Sequence, residues 1–205
     1  MTGAPVPAAD SGLGSGRIAS ALRPVLLEPA AAAALDVHGR DDAAVLVALF
    51  ERHGSLHVVL TRRREDLRRH PGEISFPGGR QDEGDGDLIA TALREAHEEV
   101  GLDPSAVALI GALQPTPTIA TNYAVYPFVG LIAADQAWAP SDAEVAEVLE
   151  LSLADLRAGY GRRRMLRRGV PFRTDTYAVG EHLVWGATAR ILADLFERID
   201  AAGLA

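Results

Sequence analysis

Residues 43–50 read AAVLVALF, and after the polar stretch ERHG a second apolar run, LHVVLT, occupies 56–61. Two short apolar runs joined by a turn predict a hairpin buried in a sheet. Residues 73–76 predict a further short strand, which Pro77 and two glycines end. The period then changes. Between Gly86 and Gly101, the residues Ile89, Ala92, Leu93, Ala96 and Val100 recur at steps of three and four, and Gly101 stands where a helix would terminate. That is an amphipathic helix with one polar face. Residues 106–113 and 124–132 return to strand-like runs, and 143–149 reads as helical. Trp185, Ala189, Leu192, Leu195, Phe196 and Ile199 trace one face of a closing helix. Strands interleaved with few helices predict a mixed α/β layer structure.

Composition narrows the chemistry. The 205 residues are 48% hydrophobic and 23% charged, enough to bury one ordinary core, so residues 17–205 are expected to form a single domain. Residues 1–16 mix Pro, Ala, Gly and Ser without a basic start or a long apolar run, and read as a disordered leader. The absence of Cys excludes disulfides, thiolate zinc sites and cysteine nucleophiles, and fits a cytoplasmic protein. All 20 basic residues are Arg, which excludes lysine nucleophiles, Schiff bases and P-loop lysines. A net charge of −8 argues against a broad nucleic-acid surface. No window approaches the roughly 18 uninterrupted apolar residues of a membrane span.

The polar face of the 86–101 helix carries Arg94, Glu95, Glu98 and Glu99. Residues three and four apart on a helix are neighbours, so the three carboxylates share one side. Such a cluster repels itself unless a hard cation sits among the oxygens, and Mg²⁺ or Mn²⁺ is the natural occupant. The bland alternative is a solvated acidic face. Just upstream, Phe76-Pro77-Gly78-Gly79 ends a strand in a glycine turn where backbone could approach a phosphate.

Taken together, these residues resemble the Nudix hydrolases, whose box reads G-x5-E-x7-R-E-U-x-E-E-x-G-U with U bulky and apolar. Gly79 and then Arg94-Glu95-Ala96-His97-Glu98-Glu99-Val100-Gly101-Leu102 match it. There are two departures. Residues 80–93 make fourteen positions where the box expects thirteen, and Gly86 stands eight before Arg94 where the box has its first Glu. Asp85 or Asp87 could supply the missing carboxylate to orient Arg94. Within the family, Leu60-Thr61, Arg63, Leu67, Arg68, His70, Gly72 and the glycine turn are similar to the signature of the coenzyme A diphosphatases. Tyr126-Pro127, Glu144-Val145 and Trp185-Gly186 continue that likeness, whereas Arg64 stands where the group usually has Ser.

The resemblance implies an α/β/α sandwich around a mixed β-sheet. It also implies metal-dependent hydrolysis of the coenzyme A diphosphate to 4′-phosphopantetheine and adenosine 3′,5′-bisphosphate. Glu95, Glu98 and Glu99 would hold the metal, with Arg94 in the catalytic set. Glu98 is the first candidate for general base and Glu144 the second. Gly78, Gly79, Arg63 and Arg68 would contact substrate. The implied partner is a small molecule rather than nucleic acid or membrane, with a homodimer left open. His70 reads as a loop-fixing residue, and 162–168 as a solvated or mobile basic loop. The alternatives are a Nudix hydrolase of another nucleoside diphosphate derivative (ADP-ribose, NADH, a nucleoside triphosphate) and a non-catalytic ligand sensor on the same scaffold.

Overall fold

The computed structural model describes residues 14–67, 70–118, 122–167 and 170–204. The predicted hairpin forms from β1 (Asp41–Arg52) and β2 (Ser55–Arg63), antiparallel with Leu49 opposite Val58 and Arg52 opposite Ser55. His53 and Gly54, both at positive φ, make the two-residue turn whose twist suits such strands. On its other edge β1 pairs in parallel with β7 (Tyr123–Leu131), which in turn pairs antiparallel with β5 (Ala108–Ala112) and β6 (Thr116–Pro117). The sheet is therefore mixed.

Beyond their shared segment β1 and β2 part, and two short strands occupy the fork. The strand β3 (Ile74–Ser75) pairs with Thr61 and Arg62 of β2, and β4 (Gly78–Arg80) pairs with Ala43, Ala44 and Val45 of β1. Only Phe76 and Pro77 bridge them, so the glycine turn sits at the mouth of the fork.

Successive residues of β1 point to opposite faces and feed two cores. Ala44, Leu46 and Ala48 pack with Leu88, Ala92, Ala96 and Val100 of α3 (Leu88–Val100). Val47 and Leu49 pack with Ile18 and Leu22 of α1 (Ser15–Leu22) and with Leu192 and Leu195 of α5 (Gly186–Ala201). Helices thus cover both faces, giving the expected α/β/α sandwich. Two further short helices are α2 (Pro29–Ala33) and α4 (Leu153–Ala158). No helix among the described residues is long and apolar enough to cross a membrane.

Two expectations are corrected. Residues 143–149 are not helical: β8 (Val145–Ser152) pairs antiparallel with β2. Val145 and Leu149 are four apart and fit either period, but Leu151 joins them on the buried side, which only a period of two allows. Nor is 162–168 a loop as far as it is described. β9 (Tyr160–Arg167), β10 (Val170–Val179) and β11 (His182–Trp185) form a second, three-stranded antiparallel sheet. A run of consecutive arginines carries no hydrophobic signal, so the ladder with β10 is invisible until the partner strand is known. Of the expected leader, residues 1–13 lie outside the described residues, while Ser15 and Gly16 already belong to α1.

Candidate active site

The acidic helix is placed by its two ends. Asp87 caps α3 by accepting from Ala90 N at 2.7 Å, and Gly101 closes it in the left-handed region at φ 74°. Between the caps, the buried stripe fixes the helix's rotation against β1. Glu99 flanks that stripe and is only 7% exposed. Glu95 is largely covered, while Glu98 reaches solvent.

The two glycines of the turn serve different ends. Gly78 has φ 155°, and a Cβ there would come within 2.3 Å of Ala44 O. Its N–H donates to Glu99 Oε2 at 3.2 Å. At Gly79 a Cβ would meet Glu95 Oε1 at 2.4 Å, so the Glu95 carboxylate packs where any other residue would carry a side chain.

Arg94 ties the cluster together. Its Nε and Nη2 donate to Asp85 Oδ1 and Oδ2 at 2.8 and 2.9 Å, and its Nη1 donates to Glu95 Oε1 and Glu98 Oε2, both at 3.0 Å. Asp85 also accepts from Thr91 Oγ1 and Asp82 N. The geometry distinguishes the two aspartates the sequence left open: Asp85 orients Arg94, and Asp87 caps the helix. The extra position in the loop is what sets Asp85 nine residues ahead of Arg94. The Arg94 guanidinium holds the Asp85 carboxyl well below the usual range, and Asp85 pushes Arg94 above its own.

A fourth carboxylate comes from outside the helix. The segment before β8 is tethered to the end of α3, with Ser141 N donating to Glu99 O and Ala139 N to Val100 O. This delivers Glu144, whose Oε2 accepts from Arg63 Nη1 at 3.2 Å, while the same Nη1 lies 3.9 Å from Glu99 Oε1. Arg63 therefore bridges Glu99 and Glu144. Burial pushes Glu99 up to about 7; the Gly78 N–H and Arg63 oppose the shift, and Glu95 and Glu144 add to it. Burial likewise raises Glu95 against the pull of Arg94, with Glu98 and Glu144 pushing the same way.

Two other arginines of the basic stretch are engaged with local acids. Arg62 pairs with Glu147 across β2 and β8, and Arg64 forks onto Asp66 and donates to Asp142 O. Arg68 and Arg69 lie outside the described residues. His70, at φ 55°, sets its Nδ1 2.5 Å from Glu73 Oε2 and fixes the loop ahead of β3.

Among the described residues no three acidic or histidine side chains converge on one point as an ion-binding group, because Arg94 and Arg63 draw the carboxylates toward themselves. The donor chemistry nonetheless fits a hard divalent cation. Glu95 and Glu99 are enclosed oxygens that resist ionisation in their present surroundings, the condition a cation relieves. Sequence reasoning missed the bridging role of Arg63, since nothing in linear spacing joins residues 63, 99 and 144.

The NUDIX domain family matches residues 40–169 of the chain. Among curated proteins, the chain is 42% identical over 162 residues to an uncharacterized Nudix hydrolase, NudL, of Enterobacter sp. (strain 638), covering 78% of this chain and 83% of that protein. Its likeness to NudL of Escherichia coli O1:K1 / APEC is 42% over 155 residues, covering 75% and 80%. Among solved structures, a MutT/nudix family protein from Enterococcus faecalis aligns with a TM-score of 0.52 at 15% identity, over 81% of this chain and 64% of that one, a likeness of fold alone.

Proposed function

The chain belongs to the Nudix domain family, and we propose that it hydrolyses the diphosphate of coenzyme A or its derivatives to 4′-phosphopantetheine and adenosine 3′,5′-bisphosphate. The observation that carries hydrolysis is the placing of Glu95 and Glu99 against the Gly78-Gly79 turn, with Glu98 and Glu144 held beside them by Arg94 and Arg63. A binding-only protein has no chemical need for so much mutually repelling charge. Support for coenzyme A comes from the sequence likeness of residues 60–79 to that group of enzymes.

Glu95, Glu98 and Glu99 would hold Mg²⁺ or Mn²⁺, which supplies Lewis-acid polarisation of the diphosphate and a more acidic water. Gly78 and Gly79 would contact the diphosphate through their backbone, since the space a side chain would take there is filled by Ala44, Val45 and Glu95. Asp85 fixes Arg94, and Arg94 fixes the rotamers of Glu95 and Glu98. Glu98 is the first candidate to take the proton of the attacking water, because it is the most exposed of the helix carboxylates. Glu144 is the second. Arg63 stands between Glu99 and Glu144, where its charge can turn toward phosphate oxygens once a cation relieves those carboxylates.

The test is a side-by-side assay of coenzyme A, acyl-coenzyme A, NADH, ADP-ribose and nucleoside triphosphates with Mg²⁺ or Mn²⁺, with products identified. Coenzyme A is expected to give the two named products. Turnover of ADP-ribose or triphosphates alone would overturn the substrate and leave the hydrolase. Binding without turnover of any of them would favour the sensor.

A further inference from the structure

The two faces of the β9–β11 sheet meet different surroundings. Tyr177 and Val184, on one face, are buried in the core with α5. The other face presents Arg163 and Met165 of β9, Phe172 and Thr174 of β10 opposite them, and Trp185 of β11 opposite Thr176. Met165, Phe172 and Trp185 are half-buried, yet none belongs to either core cluster. Register sets Trp185 four residues from Phe172 along the sheet, but their ring centroids are 6.2 Å apart at 48°. The indole must therefore lean along the strand toward the phenyl ring.

On this face Arg163 is exposed, stands opposite Thr174, and has no carboxylate partner among the described residues. Asp175, which stands opposite Arg162, belongs to the other face, where it meets Arg162 and the Tyr160 hydroxyl. The position matters as well. The strand β11 packs against β3, and only Phe76 and Pro77 separate β3 from Gly78. β11 thus lies beside the strand that leads into the glycine turn.

We propose that this face is the base-and-phosphate subsite of the substrate, with the adenine stacked on Trp185 and Phe172 and the 3′-phosphate taken by Arg163. The assignment rests on the coenzyme A reading and deepens it. An aromatic pair beside an unpaired guanidinium complements a flat π-system that carries an anion. The apolar residues alone would suit a second copy equally. A two-fold contact through this face, however, would bring the two unpaired Arg163 charges into the same interface, at an electrostatic cost.

Trp138→Phe leaves Trp185 as the only tryptophan. In that variant adenosine 3′,5′-bisphosphate is expected to quench the emission, and 4′-phosphopantetheine is not. Trp185→Leu and Phe172→Ala should each raise KM for coenzyme A roughly tenfold or more, with kcat held within about threefold. Arg163→Gln, an exposed change that does not endanger folding, should raise KM for coenzyme A about tenfold and that for 3′-dephospho-coenzyme A less than about twofold. Unquenched emission together with unchanged KM values, in a protein that turns over coenzyme A, would overturn the subsite and leave the hydrolase. Quenching in a protein that leaves coenzyme A intact would keep the subsite and overturn the substrate. A dimer that Trp185→Leu converts to monomer in light scattering would assign the face to a second copy instead.

Discussion

Replacing Asp85 by Asn separates a residue that orients Arg94 from one that merely starts a helix. Asp85 accepts four hydrogen bonds, two of them from the Arg94 guanidinium. Its side chain is 6% exposed, but it is covered by these partners rather than sunk in either core, so the full penalty of a deeply buried broken ion pair does not apply. One of two charge-assisted bonds is lost and its donor returns partly to water, which costs about 2 kcal/mol. For a domain of this size that lowers Tm by roughly 4–8 °C. The larger effect is on turnover, because Arg94 no longer holds Glu95 and Glu98 in place; a 10- to 100-fold fall is expected, as for residues that orient metal ligands. Asp87→Ala is the control: it removes the α3 cap for about 1 kcal/mol, roughly 2–4 °C, and leaves turnover near wild type. The pH profile adds a sign. Arg94 depresses the Asp85 pKa, so this pair stabilises the fold above the ordinary Asp range near 4 and the contribution is lost as pH falls below it. Asp85→Asn should flatten that acid limb. Calorimetry and initial rates on the two variants decide the matter: if Asp87→Ala cripples turnover while Asp85→Asn spares it, the assignment is wrong.

Glu99, pushed up to about 7, gives the opposite slope: in metal-free protein it favours the fold below about pH 4.5 and loses that contribution as pH rises through 7. Glu99→Gln should therefore raise metal-free stability at pH 8, by on the order of 2 kcal/mol, while abolishing most turnover and the Tm increase that Mg²⁺ gives wild type; a metal-free Tm that falls instead would count against the assignment. Gly79→Ala displaces the flexible Glu95 carboxylate, so kcat should drop at nearly constant Tm, whereas Gly78→Ala drives a Cβ at the backbone of Ala44 and should cost several kcal/mol of stability, read by urea unfolding. Glu144→Gln removes charge that raises both Glu95 and Glu99, so turnover should fall while the metal-free protein grows more stable at pH 8; a variant that loses both would make Glu144 a structural residue.

The helix and the glycine turn were legible because each is local. A period of 3.6 between Gly86 and Gly101 marks the helix and its terminating glycine, and the box residues lie within a single turn-and-helix unit. Strands β1, β2, β5 and β7 of the central sheet were legible for the same reason, as apolar runs between turns. What was not legible depends on pairing. Residues 145–151 fit a helix until β2 is placed beside them, and the arginines of β9 follow no apolar period at all. The choice between Asp85 and Asp87 likewise turned on the path of a loop with one extra residue, where spacing counts positions but does not say which side chain turns inward.

Why the site sits at the fork follows from the same pairings. A continuous sheet would have covered both edges of β1 and β2 and left no backbone N–H for a carboxylate. Because the strands part, β4 can bring the Gly78 N–H to Glu99, and β2 can run on beyond β1 to carry Arg63 to Glu99 and Glu144. The two arms of the fork thus bring a backbone donor and a guanidinium to the carboxylates of α3 and of the 139–145 segment. Arg94 and Arg63 keep four carboxylates together that would otherwise drive the helix and the 139–145 segment apart, yet they leave Glu95 and Glu99 short of positive charge. That residual deficit suits the site to a divalent cation, and it ties affinity for the ion to the stability of the fold that gathers its ligands.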